Sequence, residues 1–336
     1  MTINRAFAAS LLATSLMCTA ALAAPTGYRL VDRVAGPDGG WDYASVDTVN
    51  NRVLVTRGTF VMSVDLATGK VNPNFAAAEG VHAAMAVNKG AQVLITNGRS
   101  NSVAILDGTS GVVLATIATG KNPDAATFDT YTGLVLVMNH SGGDITLIDP
   151  VAMKAVETIN IGGELEAAAV DGAGKAWVNV EDKGEIVAID LKTRTVLAHY
   201  KLKGCEGPTG IAFAPADKAL ITTCDGVAQV IASATGKLIA SVKIGEGADG
   251  VAFDPAQKLA FVSSGQSGTM SVISISGGKV ALVDTVSTQT SARTIALDPR
   301  TGHLYMPAAK IAPRVPGTTG NPGRIPGSFE LLVAGK

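Results

Sequence analysis

The chain is poor in charge, in aromatic residues and in cysteine: 16% of its 336 residues are Asp, Glu, Lys or Arg, 4% are Phe, Trp or Tyr, and it has three cysteines. Its Lys and Arg are scattered, so no basic field exists to hold a nucleic acid or an anionic membrane surface. No amphipathic helical period appears after residue 27, which argues against a helical solenoid. There is no glycine-rich phosphate loop: Ser141-Gly142-Gly143-Asp144 is a turn between strand-like runs with no helix after it. A Gly-x-Ser-x-Gly nucleophile elbow is also lacking. The one long apolar run, Ala6 to Met17, follows Arg5 and leads to Ala21-Leu22-Ala23. It is too short for a membrane anchor and reads as a secretory signal over 1–23, cut after Ala23. Removing Arg5 leaves 26 basic against 28 acidic groups on a periplasmic or secreted chain with no membrane span.

What is present is repetition. Val46-Asp47, Val87-Asn88, Phe128-Asp129, Val170-Asp171, Phe213-Ala214, Phe253-Asp254 and Leu297-Asp298 recur at steps of 41, 41, 42, 43, 40 and 44 residues, the spacing of propeller blades. Each anchor precedes a tight turn and a short β-branched run, such as Val53 to Thr56, Val93 to Thr96 and Val135 to Met138. A third run commonly ends in an acidic residue before a turn, as at Asp65 and Asp149, and a fourth closes the unit. Small residues (Ala44, Ala84, Ala126, Ala168, Ala212, Ala252) occupy the first runs, which crowd a propeller axis. The expectation is one all-β domain over 24–336, a seven-bladed β-propeller of four-stranded blades. Residues 28–35 look like a fourth strand without its first three, and the last repeat has three strands without a fourth. The two ends should complete one blade and close the ring, leaving a monomer without open edges.

Cys205 and Cys224 both fall in the fifth repeat, before its first strand and after its second, hence at one end of the blade. In an oxidising compartment they are expected to form a disulfide, two free thiols being the alternative.

Loops from fourth to first and from second to third strands gather at one mouth of the channel. Five residues before the second member of each anchor stand Asp42, Ala83, Asp124, Glu166, Thr209, Asp249 and Arg293, with His82 beside Ala83; Arg57 and His140 follow second strands. In a chain so sparing of charge, this makes Asp42, Arg57, His82, Asp124, His140, Glu166, Asp249 and Arg293 the candidate ligand-binding set. Loop capping by Asp is the competing reading for each acid taken singly. Converging carboxylates attract a cation or an amine, and His82 and His140 could join them as metal ligands or proton-transfer groups. No cofactor is expected, a divalent cation being the one exception the set would accommodate. The seventh repeat carries a Pro- and Gly-rich insertion, 310–328, placed to cover the same mouth and to bring Arg314 and Arg324 to the carboxylates, unless it stays unstructured.

The runs Val93-Leu94-Ile95-Thr96-Asn97 and Asn101-Ser102-Val103-Ala104-Ile105-Leu106-Asp107, with Gly120-Lys121-Asn122-Pro123 ahead of the next repeat and Pro326 to Val333 at the end, resemble the YVTN family of β-propellers, which includes YncE-like secreted proteins. The likeness covers 28–336. It implies the propeller fold and a binding or scaffold role, and it carries no common catalytic motif. Arg57 stands at the Asn position of the first repeat, a departure from the family's run. Relatives with chemistry would show Cys-x-x-Cys-His for haem or several docking tryptophans, whereas this chain has only Trp41 and Trp177. The expected function is therefore a periplasmic, non-enzymatic binding or scaffold propeller, with a small molecule or protein partner on the mouth face. The alternative is a lactonase-like hydrolase or isomerase in which Glu166 holds a metal or acts as base, His82 or His140 moves protons and Arg293 steadies an anion.

Overall fold

The computed structural model describes residues 26–313 and 323–336, so the signal segment and Arg314 lie outside the described residues. The chain is an all-β propeller whose only helical pieces, among these residues, are two three-residue 3₁₀ turns. No helix among them is long and apolar enough to cross a membrane.

The repeat has a side-chain cause. Each anchor Asp folds back over its turn: Asp129 accepts from the Thr132 amide and hydroxyl at 2.9 and 2.7 Å, Asp254 from the Ala256 and Gln257 amides, and Asp47 from the Asn50 amide and the Arg52 guanidinium. The acids that end third strands do the same, Asp65 taking the Ala67 and Thr68 amides and Asp107 those of Thr109 and Ser110. Turn geometry thus explains the acidic punctuation directly. Between the turns, second and third strands are sealed on both faces. Leu54, Leu94, Val137, Val178, Ile221 and Val262 are buried, each by neighbouring sheets, at roughly 1.5–3 kcal/mol per side chain. Outer strands such as Val113–Ala118 and Lys154–Asn160 are mostly exposed.

Adjacent repeats are latched by hydroxyls and amides at the ends of second strands. Thr56 Oγ1 donates to the His82 carbonyl at 2.8 Å, Thr96 Oγ1 to that of Asp124 at 2.9 Å, Asn179 Nδ2 to that of Thr209 at 2.8 Å, and Ser263 Oγ to that of Arg293 at 2.5 Å. Thr294 Oγ1 donates to the Asp42 carbonyl at 2.7 Å, tying the last repeat to the first. Arg29–Ala35 pairs antiparallel with Glu330–Gly335, Arg29 opposite Gly335 and Ala35 opposite Glu330.

Seven separate four-stranded sheets are not what the described residues form. Five stand alone, and the strands of the first two repeats run together into one seven-stranded sheet. The reason is local: Val71–Val87 is a single extended strand of 17 residues, continuing through what is a turn elsewhere, with register shifts at Val61/Ser63 and Val81/Ala84.

The expected disulfide is present. Cys205 and Cys224, both 1% exposed, are joined with Cα atoms 5.4 Å apart across a separation of 19 residues. Replacing both by serine should lower stability by about 3 kcal/mol, read as a drop in the chemical-denaturation midpoint that reductant reproduces in the wild type. Equal midpoints would show the link to be idle.

Candidate functional site

The first strands and the loops that flank them bring most of the candidate residues together in two groups. In the first, Arg293 bridges Asp249 and Asp42, the latter at 3.1 Å. Asp42 in turn takes the His82 Nδ1 proton at 2.8 Å, and Asp124 lies 3.7 Å from the same nitrogen. In the second, His140 Nδ1 lies 3.2 Å from both Glu166 Oε1 and the Leu165 carbonyl; since both are acceptors, Nδ1 carries the proton. Burial without sufficient compensation pushes Asp124 up to about 7, and raises Glu166 and Asp249. The hydrogen bond to Asp42 raises His82, and that to Glu166 lifts His140 to about 9. Arg293 is raised by the Asp249 and Asp42 charges against its own burial, and so stays cationic.

Asp124 stands between the groups. Donor atoms of Asp42, His82 and Asp124 lie within 4.8 Å of one another, as do those of Asp124, His140 and Glu166, so one carboxylate is common to two sets with the composition of a divalent-metal site. Its side chain is 15% exposed and accepts no hydrogen bond from the described residues.

Tyr43 is the residue that repeat counting missed. It belongs to the first repeat, yet it packs against the apolar cluster built by the third and fourth. Burial and the Asp124, Glu166, Asp249 and Asp42 charges push its hydroxyl well above the usual range. Only its place beside Asp42 could have pointed to it, since no other repeat has an aromatic there.

Arg57 does not join the ring. It is 2% exposed, donates to the Pro37 and Gly40 carbonyls at 2.5 and 2.9 Å, and stacks 3.4 Å from the centre of the Phe329 ring. Its guanidinium is a core strut. In the insertion, Arg324 is paired with Ile311 and lies 4.6 Å over Trp41, an aromatic face rather than the carboxylates expected of it. A cleft of about 290 Å³ opens beside His82 at this mouth; a larger one, about 640 Å³, lies at the opposite end among Asn50, Lys70 and Asn72, away from all these groups.

No family model and no curated protein matches the chain. Among solved structures it resembles a chain of the mitotic checkpoint complex, at 16% identity and a TM-score of 0.74, over 90% of this chain and 95% of that one. It also resembles a chain of Kuenenia stuttgartiensis hydrazine synthase, at 16% identity and a TM-score of 0.72, over 80% and 92%. Both likenesses are of fold: the chain is a β-propeller.

Proposed function

We propose that this is an exported, periplasmic, non-enzymatic binding propeller of the YVTN type whose ligand docks at the mouth lined by Asp42, His82, Asp124, His140, Glu166, Asp249 and Arg293. We count the seven-stranded sheet as two blades sharing Val71–Val87, which makes seven blades, with Arg29–Ala35 closing the ring. The antiparallel pairing of the chain ends and the Thr294–Asp42 latch support that count. The observation that carries the function is the concentration of ionisable groups: a protein with so few charges brings four carboxylates, two imidazoles and a guanidinium to one opening. Asp124 is mostly buried there and accepts no hydrogen bond from the described residues, held ready for a cationic or hydrogen-donating partner.

The sharing of Asp124 between two metal-type triads favours one second reading, a hydrolytic propeller with divalent metal in the channel. Asp42 and His82 on one side, His140 and Glu166 on the other, would hold the metal, which would supply Lewis acidity and an activated water. Arg293 would steady the developing anion.

Native mass spectrometry and metal analysis of protein purified from periplasm without chelator separate the outcomes. The wild type should carry a bound species at least tenfold depleted in Asp124→Asn and Glu166→Gln. Stoichiometric metal with turnover of a lactone or ester would select the hydrolytic reading. A wild type carrying nothing that these changes remove would overturn the mouth as a binding site.

A further inference from the structure

The larger cleft, about 640 Å³, opens at the end of the propeller opposite the acidic mouth, between turns of the first and second repeats. Its volume falls within the range for small-molecule pockets, roughly 300–1,000 Å³. It lies where the first repeat departs from the others. In the second to sixth repeats the fourth strand carries one residue more than the third at a shift in register. In the first, Val61 pairs with Ala76 and Ser63 with Asn72, so Pro73, Asn74 and Phe75 stand opposite Met62 alone. A bulge of this kind re-aims side chains. Phe75 is buried under the Arg52 guanidinium, 4.4 Å from its ring centre, while Asn72 and Pro73 line the cleft.

Two of the lining side chains are almost wholly buried and still keep a polar atom open. Arg52, 9% exposed, is fixed by Nε on Asp47 at 2.9 Å and by Nη2 on the Gly108 carbonyl at 2.5 Å, while Nη1 bonds to nothing among the described residues. Ser63, 7% exposed, lines the cleft with an Oγ that likewise bonds to nothing among them. Neither atom is sealed from solvent, so each meets the cleft. Around them stand Asn72, whose Oδ1 takes the Asn74 amide and leaves Nδ2 free, and Asn50, whose Nδ2 is used on Asp47 and Gly90 and leaves Oδ1. Donors and acceptors are thus mixed in one wall. Its charges are compensated, Arg52 by Asp47 and Lys70 by the neighbouring Asp65, whose Oδ1 is taken by the Ala67 and Thr68 amides.

We propose that this cleft binds a sugar, a neutral polyhydroxylated ligand whose hydroxyls meet Arg52 Nη1, Ser63 Oγ, Asn72 Nδ2 and Asn50 Oδ1. A hydroxyl donates and accepts at once, as a mixed wall requires. An anion would face Asp65, a cation would face Arg52 and Lys70, and an apolar ligand would strand the open polar atoms. Val71 and Pro73 are left for the C–H face of a sugar ring. The site lies apart from the acidic mouth, and its occupation does not depend on what the mouth holds.

The test is saturation-transfer NMR and calorimetry on the intact protein with glucose, galactose, N-acetylglucosamine, maltose and maltohexaose, with citrate and spermidine as charged comparisons. At least one sugar should saturate at millimolar concentration or below. Asn72→Ala should weaken it at least threefold, and Thr109→Trp, whose bulk closes the cleft from an exposed turn, at least tenfold. Both residues are exposed, so both variants should melt with the wild type. Arg194→Gln in the fourth repeat should leave binding unchanged. Tighter binding of maltohexaose than of maltose would assign a glycan chain and equal binding a free sugar, and each upholds the ligand class. Citrate or spermidine binding more tightly than every sugar, and lost in the same variants, would overturn it. No saturable sugar, or binding that neither variant weakens, would overturn the site.

Discussion

Replacing Arg57 by alanine should destabilise the fold by about 4 kcal/mol, the scale of a large core truncation that also strands buried acceptors. The side chain is among the largest fully buried ones in the protein. Its Nη2 holds the Pro37 carbonyl at 2.5 Å and its Nε the Gly40 carbonyl at 2.9 Å, pinning the segment that leads from the closing strand to the first repeat. The guanidinium lies flat on Phe329 at 3.4 Å and nearer the edge of Phe60 at 5.6 Å, so it binds that segment to the last strand of the chain as well. Burial lowers its pKa to about 10, which still leaves it charged at neutrality. Lysine cannot reproduce the fork or the stacking, and Arg57→Lys should recover less than half of the loss. Urea unfolding is the measurement: a midpoint shift equivalent to less than 1 kcal/mol for Arg57→Ala would contradict this account. Because Arg57 faces the core, species bound at the mouth should persist in whatever fraction of the variant remains folded.

Arg57 also marks the limit of what the sequence discloses. The anchors and the strand order could be read because each rests on a local rule: an Asp folding over its own turn, an unbroken apolar run sealed on both faces. The pairing of Cys205 with Cys224 followed from their positions in one repeat. Asp42, His82, Asp124, Glu166, Asp249 and Arg293 were found by position because equivalent places in a propeller converge, and the structure links them or brings them together. Direction of a side chain is not a positional property. Arg57 occupies the place that Asn97 and Asn139 hold in the next two repeats, and all three turn inward, the asparagines onto their own blades and the longer Arg57 onto Phe329. Tyr43 was invisible because its contacts lie with repeats about 80 residues and more away. The fusion of the first two sheets depends on the absence of a turn within Val71–Val87, and no residue there announces it; Pro73 and Gly80 would suggest breaks.

Stability of the metal-free protein should fall by about 4 kcal/mol between pH 5 and pH 9, opposite in slope to a protein held together by ionised carboxylates. Asp124 is raised to about 7, whereas an unfolded Asp titrates near 3.9, so between these values the folded chain binds the extra proton and raising the pH favours unfolding. His140, raised to about 9 by Glu166, contributes stability that is whole below about pH 6.5 and is lost as the pH climbs to 9. Both changes run the same way. One pKa unit is roughly 1.4 kcal/mol, and because Asp124 and His140 act on each other their contributions overlap, which brings the combined loss to the figure above. On the acid side, Asp65, Asp107 and Asp298 are lowered by their turn hydrogen bonds, and the stability they add disappears only as the pH falls through their depressed values. The optimum should therefore stand near pH 5. Melting curves from pH 4 to 9 in the presence of chelator test this, and two variants divide the slope. Asp124→Asn should flatten it between about pH 4 and 7 and gain stability at pH 8, since the variant no longer buries a charge. His140→Gln should flatten it between about 6.5 and 9. A wild-type profile level from pH 5 to 8, or variants that leave its slope intact, would mean that the mouth holds its carboxylates solvated and ionised, and the argument for a buried, partner-seeking Asp124 would fall with it.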